Sequence, residues 1–186
     1  MALFLDRGYA EVTVAQIADR AGLTKRTFFN HFADKREVLF AGAAAFQADV
    51  VRYLDEASGA AAPVDAAVEA LTRGGLALSR YIAFANARRQ VIDSSPELQE
   101  RDLIKMASLA SAIAQALCRR HVPAESATLT AQAAVAVFSA AYADWAKDNT
   151  ADFRALMQRS LAAMRQAVAP PELGAATLMK APAVHP

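Results

Sequence analysis

Apolar residues recur along most of this chain every three or four positions, the spacing that places them on one face of an α-helix. Three such stripes are Leu39, Phe46, Val50, Tyr53 and Leu54; Leu98, Met106, Leu109, Ile113 and Leu117; and Val135, Phe138, Tyr142 and Trp145. No segment of useful length alternates apolar and polar residues as a half-buried strand would. The pattern predicts an all-α protein of about nine helices.

Capping signals divide the N-terminal region into short helices. Gly8 is expected to end a first helix, which opens so abruptly that we expect its front half to be missing upstream of Met1. Thr13 and Gln16 have the spacing of a capping box, so a second helix should begin there and end at Gly22.

The same kind of signal sets the later boundaries. Thr24 is the expected N-cap of a third helix. The run from Asp34 to Glu37 is a second capping box, which predicts a long fourth helix reaching about residue 57. Further helices are predicted over residues 64–81, 82–92, 96–120 and 124–147, and a last one after a cap at Asn149 and Thr150.

These segments suggest three regions. Residues 1–45 are expected to form a helix-turn-helix domain with a truncated first helix. Residues 46–170 are expected to form a second, larger helical domain. Residues 171–186 show no periodicity, so we expect a disordered tail.

Composition narrows the class of protein. Of the 186 residues, 55% are hydrophobic, which is enough to build a core, while a net charge of +1 gives no overall attraction to nucleic acid. Cys118 is the one cysteine, so no disulfide can form within the chain. There is no leader and no apolar run long enough to span a membrane. We expect a cytoplasmic protein without a membrane partner.

The second and third helices, joined by a tight turn at residues 21–23, have the spacing of a helix-turn-helix. Thr24 and the first backbone amides of the third helix could hold a phosphate, as could Lys25 and Arg26. Thr27 could reach a base edge. From residue 24 to 36, four basic residues oppose one acidic residue, a local excess of +3. The spacing alone is equally consistent with an ordinary three-helix core whose charged residues are simply exposed to solvent.

The run GYAEVTVAQIADRAGLTKRTFFNHFADKREVLF, residues 8–40, resembles the N-terminal domain of the TetR family of bacterial regulators. Many members have tyrosine where this chain has Phe29, a change that removes a possible phosphate ligand. The resemblance implies two sets of contacts with double-stranded DNA. The residues facing the DNA would be Lys25, Arg26, Thr27, Asn30 and His31, and those touching phosphates would be Thr13, Thr24 and Lys35.

The segment from Arg88 to Leu109 resembles the C-terminal domain of the MftR-like subgroup, whose members are similar to acyl-CoA-responsive regulators. This implies that residues 46–170 are a domain for ligand binding and dimerisation, with a pocket between the central helices for a bulky, amphipathic ligand such as an acyl thioester. The candidate wall residues are Tyr81, Phe84, Met106, Ile113, Phe138 and Tyr142. Arg88, or else Arg89 or Asn86, could meet an anionic group. The alternative for each residue is a plain core or surface position.

Small residues form a second stripe on each of the last two helices, and small side chains let helices approach closely. These residues are Ala134, Ala136, Ala140 and Ala141 on one helix, and Ser160, Ala163 and Ala167 on the other. The family resemblance favours a homodimer formed through these two helices, although packing within one subunit would give the same pattern.

The sequence predicts no catalytic residue, no metal site and no cofactor, because its three histidines are scattered and no catalytic motif is present. We therefore do not expect an enzyme, and the family resemblance implies a transcriptional repressor. A small amphipathic ligand would release it from a near-palindromic operator. The alternative is a ligand-binding helical dimer that has lost strong DNA binding.

Overall fold

The computed structural model describes residues 1–78, 82–148 and 150–169, without the side chains of residues 78 and 82–84. These ranges contain nine α-helices and no strand, so the all-α prediction is confirmed. The predicted disordered tail lies outside the described residues. The helices are α1 (Ala2–Arg7), α2 (Val14–Arg20), α3 (Lys25–His31), α4 (Ala43–Asp55), α5 (Pro63–Leu78), α6 (Ile82–Asp93), α7 (Pro96–Arg119), α8 (Ala124–Lys147) and α9 (Phe153–Val168).

The predicted helix-turn-helix boundaries are confirmed. The Gln16 amide donates to the Thr13 hydroxyl at 3.3 Å, and the Thr13 amide donates to Gln16 Oε1 at 2.9 Å, which completes the capping box of α2. Gly22 follows α2 with a φ of 67°. Thr24 caps α3 by accepting a hydrogen bond from the Thr27 amide at 3.1 Å.

The predicted start of the long fourth helix at Asp34 is wrong. Asp34 does accept bonds from the amides of Arg36 and Glu37, but only a single 3₁₀ turn, η1 (Arg36–Val38), follows. Gly42, with a φ of 89°, interrupts the chain, and α4 begins one residue later. The interruption allows the consecutive side chains of Leu39 and Phe40 both to be buried.

The predicted cap of the last helix is also wrong. Asp152 caps α9 by accepting a hydrogen bond from the Arg154 amide at 2.9 Å. Thr150 instead donates its hydroxyl and its amide to Asp148. Asn149 lies outside the described residues.

Two apolar clusters organise the fold. The smaller cluster combines residues of the N-terminal unit (residues 1–42) with residues of α6 and α7, namely Phe4, Tyr9, Val12, Leu39, Phe40, Val91, Ile92 and Leu98. The larger cluster fills the C-terminal unit (residues 43–169) between α4, α5, α7, α8 and α9. The N-terminal unit therefore completes its core with side chains from the other unit.

α8 is the central helix of the C-terminal unit. Within the described ranges it is the one helix whose length and hydropathy would suffice to cross a membrane. Eight of its residues, however, are buried in the larger cluster, where α8 packs against α5, α7 and α9. Its apolar composition is thus explained by its place in the protein core.

The contact of α5 with α9 depends on a glycine. A Cβ atom on Gly75 would lie 2.2 Å from Cε1 and 2.7 Å from Cζ of Phe153, well inside van der Waals contact. Phe153 also packs edge-on against Phe138 and Trp145, so its ring has little room to move.

We predict that Gly75→Ala lowers the free energy of unfolding by about 1–3 kcal/mol, because overpacking against Phe153 outweighs the gain of about 1 kcal/mol in helix propensity. Gly59→Ala is the matched control, since no atom lies within 4 Å of the added methyl group. Urea unfolding of both variants measures the effect. Equal stability of the two would show that the Phe153 ring can yield.

Candidate nucleic-acid interface and ligand cavity

The outer face of α3 is polar and open to solvent. Lys25, Arg26, Asn30 and His31 are exposed, as are Thr13 and Thr24 beside the helix, while Thr27 is half-buried. Phe28 is 3% exposed and its ring lies 5.3 Å from that of the half-buried Phe32, so these two residues pack inward. Seven of the eight residues predicted to contact DNA thus share one accessible surface around α3.

Two cations on this surface are available to a partner. Lys25 and Arg26 make no ion pair with any residue in the described part of the chain, in contrast to most arginines of the C-terminal unit. Unpaired cations next to a polar helix face suit a phosphate backbone. Phe29, 55% exposed, adds an apolar ring to the same face and is held edge-on against Phe28.

Lys35 does not belong to that surface. Its ammonium group donates to the carbonyl oxygens of Tyr9 at 2.8 Å, Ala10 at 3.2 Å and Val12 at 3.0 Å, and it lies 4.3 Å from the centre of the Tyr9 ring. An ammonium group has three hydrogen-bond donors, so all of them are used within the chain. In this structure Lys35 therefore anchors residues 9–12 and offers no donor to a phosphate.

Burial also affects the tyrosine beside this lysine. Burial, followed by the negative charge of Glu97, raises the pKa of Tyr9 to about 12. Tyr9 therefore stays neutral at physiological pH, which is consistent with its place in the smaller apolar cluster.

A cavity of about 190 Å³ lies between the start of α4 and helices α6, α7 and α8. Its apolar wall includes Phe46, Met106 and Phe138, and its polar wall is formed by Arg88, Arg89, Asp102, Ser139 and Tyr142. The cavity brings together four of the seven residues predicted to bind a ligand: Arg88, Met106, Phe138 and Tyr142.

The other three predicted ligand residues do not contribute. Ile113 is fully buried in the larger cluster and does not line the cavity, because it lies on the side of α7 that faces the core. Tyr81 and the side chain of Phe84 lie outside what the structure describes. Residues 39–43 also line the cavity, which the sequence did not predict because these residues were expected to lie inside a continuous helix. Gly42 after two large apolar residues was the available signal.

Arg88 joins the cavity to the N-terminal unit. Its Nε donates to the carbonyl oxygen of Leu39 at 2.6 Å, and its Nη2 donates to Asp102 at 3.0 Å. Burial raises the pKa of the neighbouring Tyr142 hydroxyl, and the positive charge of Arg88 partly offsets that rise. Arg89, by contrast, pairs with Asp93 on its own helix.

Ion pairs connect the same two units outside the cavity. Glu37 of η1 accepts bonds from Arg101 at 2.7 Å and Lys105 at 3.2 Å on α7, and Arg36 pairs with Glu97 at 3.2 Å. Burial of Glu37 would raise the pKa of its carboxyl group, but the hydrogen bonds from Arg101 and Lys105 outweigh it and lower that pKa.

The predicted small-residue stripes divide between the interior and the surface. Ala134 and Ala141 are fully buried in the core of the subunit, so they do not belong to an outer face. Ala136 and Ala140 of α8 are exposed, as are Ala163 and Ala167 of α9, and Ser160 is half-buried. Leu129, on the same side of α8, is 62% exposed.

Comparison with known proteins gives two family-model matches. The model described as bacterial regulatory proteins, tetR family, matches residues 1–41, and the model described as MftR C-terminal domain matches residues 61–169. The chain is also similar to the HTH-type transcriptional regulator TcmR of Streptomyces glaucescens, with 56% identity over 36 residues. That alignment covers 19% of this chain and 16% of TcmR, so it spans a small part of the relative's length.

We predict that Lys35→Met lowers the free energy of unfolding by about 1–3 kcal/mol, because it leaves three carbonyl oxygens without their charged donor. Lys25→Met, at an exposed and unpaired position, should stay within about 0.5 kcal/mol of the wild type. Thermal or urea unfolding followed by circular dichroism measures both. A Lys35→Met protein as stable as the wild type would contradict the anchoring role.

Proposed function

The chain belongs to the TetR family of bacterial regulatory proteins, with an MftR-type C-terminal domain, and from this premise we propose that it is a DNA-binding transcriptional repressor released by a small amphipathic ligand. The observation that carries the proposal is the outer face of α3. There Lys25 and Arg26, which have no ion-pair partner among the described residues, stand next to exposed polar side chains in a helix-turn-helix. We infer a cytoplasmic location from the same role.

In the proposed complex, α3 enters the major groove of DNA. We propose that Arg26, Thr27 and Asn30 meet base edges; Arg26 and Asn30 are exposed and Thr27 is half-buried. Phosphate contacts fall to the remaining exposed residues of the surface: Thr13, Thr24, Lys25 and His31. Lys35 is left out of this set because its ammonium group is used within the chain.

We propose a two-fold homodimer formed through α8 and α9. The exposed residues Ala136 and Ala140 on α8, with Ala163 and Ala167 on α9, allow two helices from each subunit to approach closely in a four-helix interface. A dimer of this kind would place its two recognition helices about one turn of DNA apart, roughly 34–36 Å. It would then read a near-palindromic operator.

The proposed effector occupies the cavity beside the start of α4. The MftR-type domain favours an acyl thioester, but a volume of about 190 Å³ is below the roughly 300–1,000 Å³ of a typical ligand pocket. The cavity is therefore suited to an acyl group, with the rest of such a molecule outside it. The apolar residues Phe46, Met106 and Phe138 would contact the acyl chain.

α4 provides the path from the cavity towards the DNA. Its C-terminal end is held by Arg120, which donates to the carbonyl oxygens of Leu54 at 3.0 Å, Ala57 at 2.7 Å and Ser58 at 2.7 Å. Its N-terminal end follows Gly42 directly beside the cavity. A ligand would thus shift the free end of α4 and the preceding residues, and favour a spacing that does not fit the operator.

A second function, a ligand-binding helical dimer without strong DNA binding, is favoured by one observation. Two phosphate contacts that are possible in the family are absent, because Phe29 has no hydroxyl group and Lys35 is bonded within the chain. Fewer phosphate contacts mean weaker binding and a smaller dependence of affinity on salt.

We predict that the purified protein binds a near-palindromic duplex, selected from a random pool, with an affinity that falls as salt rises. Arg26→Ala should weaken binding about 5- to 100-fold because it removes a contact to a base or phosphate. Lys147→Ala removes an exposed cation of α8, outside the helix-turn-helix, and is the control. Fluorescence anisotropy measures the affinities. Salt-insensitive, weak binding that is unchanged by Arg26→Ala would support the second function instead.

We predict that acyl-CoAs of a limited range of chain lengths bind the cavity and weaken operator binding by about 5- to 150-fold. Trp145, the one tryptophan, lies 5.8 Å from the Tyr142 ring of the cavity wall, so its fluorescence should report binding. Free CoA is the control and should have no effect on either signal. If acyl-CoAs bind but leave operator affinity unchanged, the release mechanism is wrong.

A further inference from the structure

We propose that Arg88 is the positioning residue that links occupancy of the cavity to the placement of the N-terminal unit. Its guanidinium group donates to the Leu39 carbonyl, and a ligand oxygen inside the cavity would compete for that guanidinium group. This inference rests on the proposed function, because it assumes that a ligand in this cavity changes operator affinity. It adds to that function the residue through which the change passes.

The carbonyl oxygen of Leu39 is a buried acceptor that depends on Arg88 for its hydrogen bond. Leu39 directly follows η1, where regular backbone pairing ends, and it is 1% exposed. No backbone amide of the described residues donates to its carbonyl oxygen. The bond from Arg88 Nε at 2.6 Å is therefore what satisfies this buried acceptor.

The side chain of Leu39 packs against residues of the N-terminal unit. Its side chain lies in the smaller apolar cluster with Phe4, Tyr9 and Val12, and Ile17 of α2 packs against that cluster. A displacement of Leu39 must therefore be passed to these side chains, because close-packed side chains have little free volume to absorb it.

Arg88 also lines the cavity in which we propose that the effector binds. It lines the cavity beside Asp102 and Tyr142, and its guanidinium carbon lies 4.9 Å from the centre of the Phe40 ring. The five N–H donors of a guanidinium group are fixed in one plane, so turning that plane towards a ligand oxygen would move Nε away from the Leu39 carbonyl. The acceptor we infer is a carbonyl or carboxylate oxygen of the effector, such as that of a thioester.

The remaining polar links between the two units are out of reach of such a ligand. Glu97, Arg101 and Lys105, which bind η1 from α7, do not line the cavity. Among the charged residues of the cavity wall, Arg88 is thus the one that is bonded to the N-terminal unit in the described structure.

Arg89 provides a matched control. It has the same charge, is the next residue on α6 and lines the same cavity, yet its bonds go to Asp93 on its own helix. Arg88→Gln and Arg89→Gln therefore remove the same charge from the same wall. They differ in whether the bond to Leu39 is lost.

The test uses the full chain without any ligand. Hydrogen–deuterium exchange of the backbone amides of residues 39–46 should be about tenfold faster in Arg88→Gln than in the wild type, because a partly buried, charged hydrogen bond is lost. Affinity for the selected operator should fall about tenfold in the same variant. Arg89→Gln should match the wild type within twofold in both measurements.

The proposal is overturned if Arg88→Gln and Arg89→Gln behave alike in either measurement, including faster exchange without a change in operator affinity. If Arg88→Gln fails to fold, Arg88→Lys decides the question. That variant keeps the charge but lacks the planar group that bonds Leu39 and Asp102 together, and it should give effects in the same direction. Wild-type exchange in residues 39–46 with Arg88→Lys would overturn the proposal.

The exchange measurement needs neither DNA nor effector, so the two proposals can fail separately. If the wild-type protein does not bind DNA, the proposed function is wrong, whatever the exchange rates show. A wild-type protein that binds and releases DNA, while exchange in Arg88→Gln is unchanged, leaves the proposed function in place. In that case the ligand acts by direct contact with residues 39–43.

Discussion

The structure depends most on the apolar cluster that the two units share. The N-terminal unit is too small to bury Phe4, Tyr9 and Val12 by itself, and its core is completed by Val91 and Ile92 of α6 and by Leu98 of α7. Small domains bury a low fraction of their surface, so a unit of about 40 residues generally needs such help. The orientation of the DNA-binding surface is consequently set by the helices that also form the ligand cavity.

This dependence explains which features could be predicted from the sequence. Capping residues act over three or four positions, so the starts of α2 and α3 follow from local signals at Thr13 and Thr24. The helices predicted to begin at residues 96 and 124 also match α7 and α8. Residues 34–42 also carry a local helix signal. There it is overridden by burial of Leu39 and Phe40 against helices that lie about 50 residues later in the chain.

In the candidate sites, too, local sequence does not determine the role of a single residue, because that role depends on contacts with distant parts of the chain. Lys25 and Lys35 have the same chemistry and both lie close to α3, but Lys35 meets carbonyl groups 23–26 residues earlier in the chain. Met106 and Ile113 both belong to the apolar stripe of α7. Seven residues correspond to nearly two helical turns, so only the packing of α4 and α8 around α7 decides that one lines the cavity and the other the core.

The strengths of the links between the units suggest how such a regulator could respond. Burial of Val91, Ile92 and Leu98 contributes about 1.5–3 kcal/mol for each side chain, while a partly exposed ion pair such as Arg36–Glu97 contributes at most about 1 kcal/mol. Coupling between a ligand and DNA is typically worth about 1–3 kcal/mol. That energy cannot separate the apolar cluster, but it is comparable to one buried polar contact. The N-terminal unit should therefore stay docked when a ligand binds and shift between two closely related positions, with the polar contacts around Leu39 deciding between them.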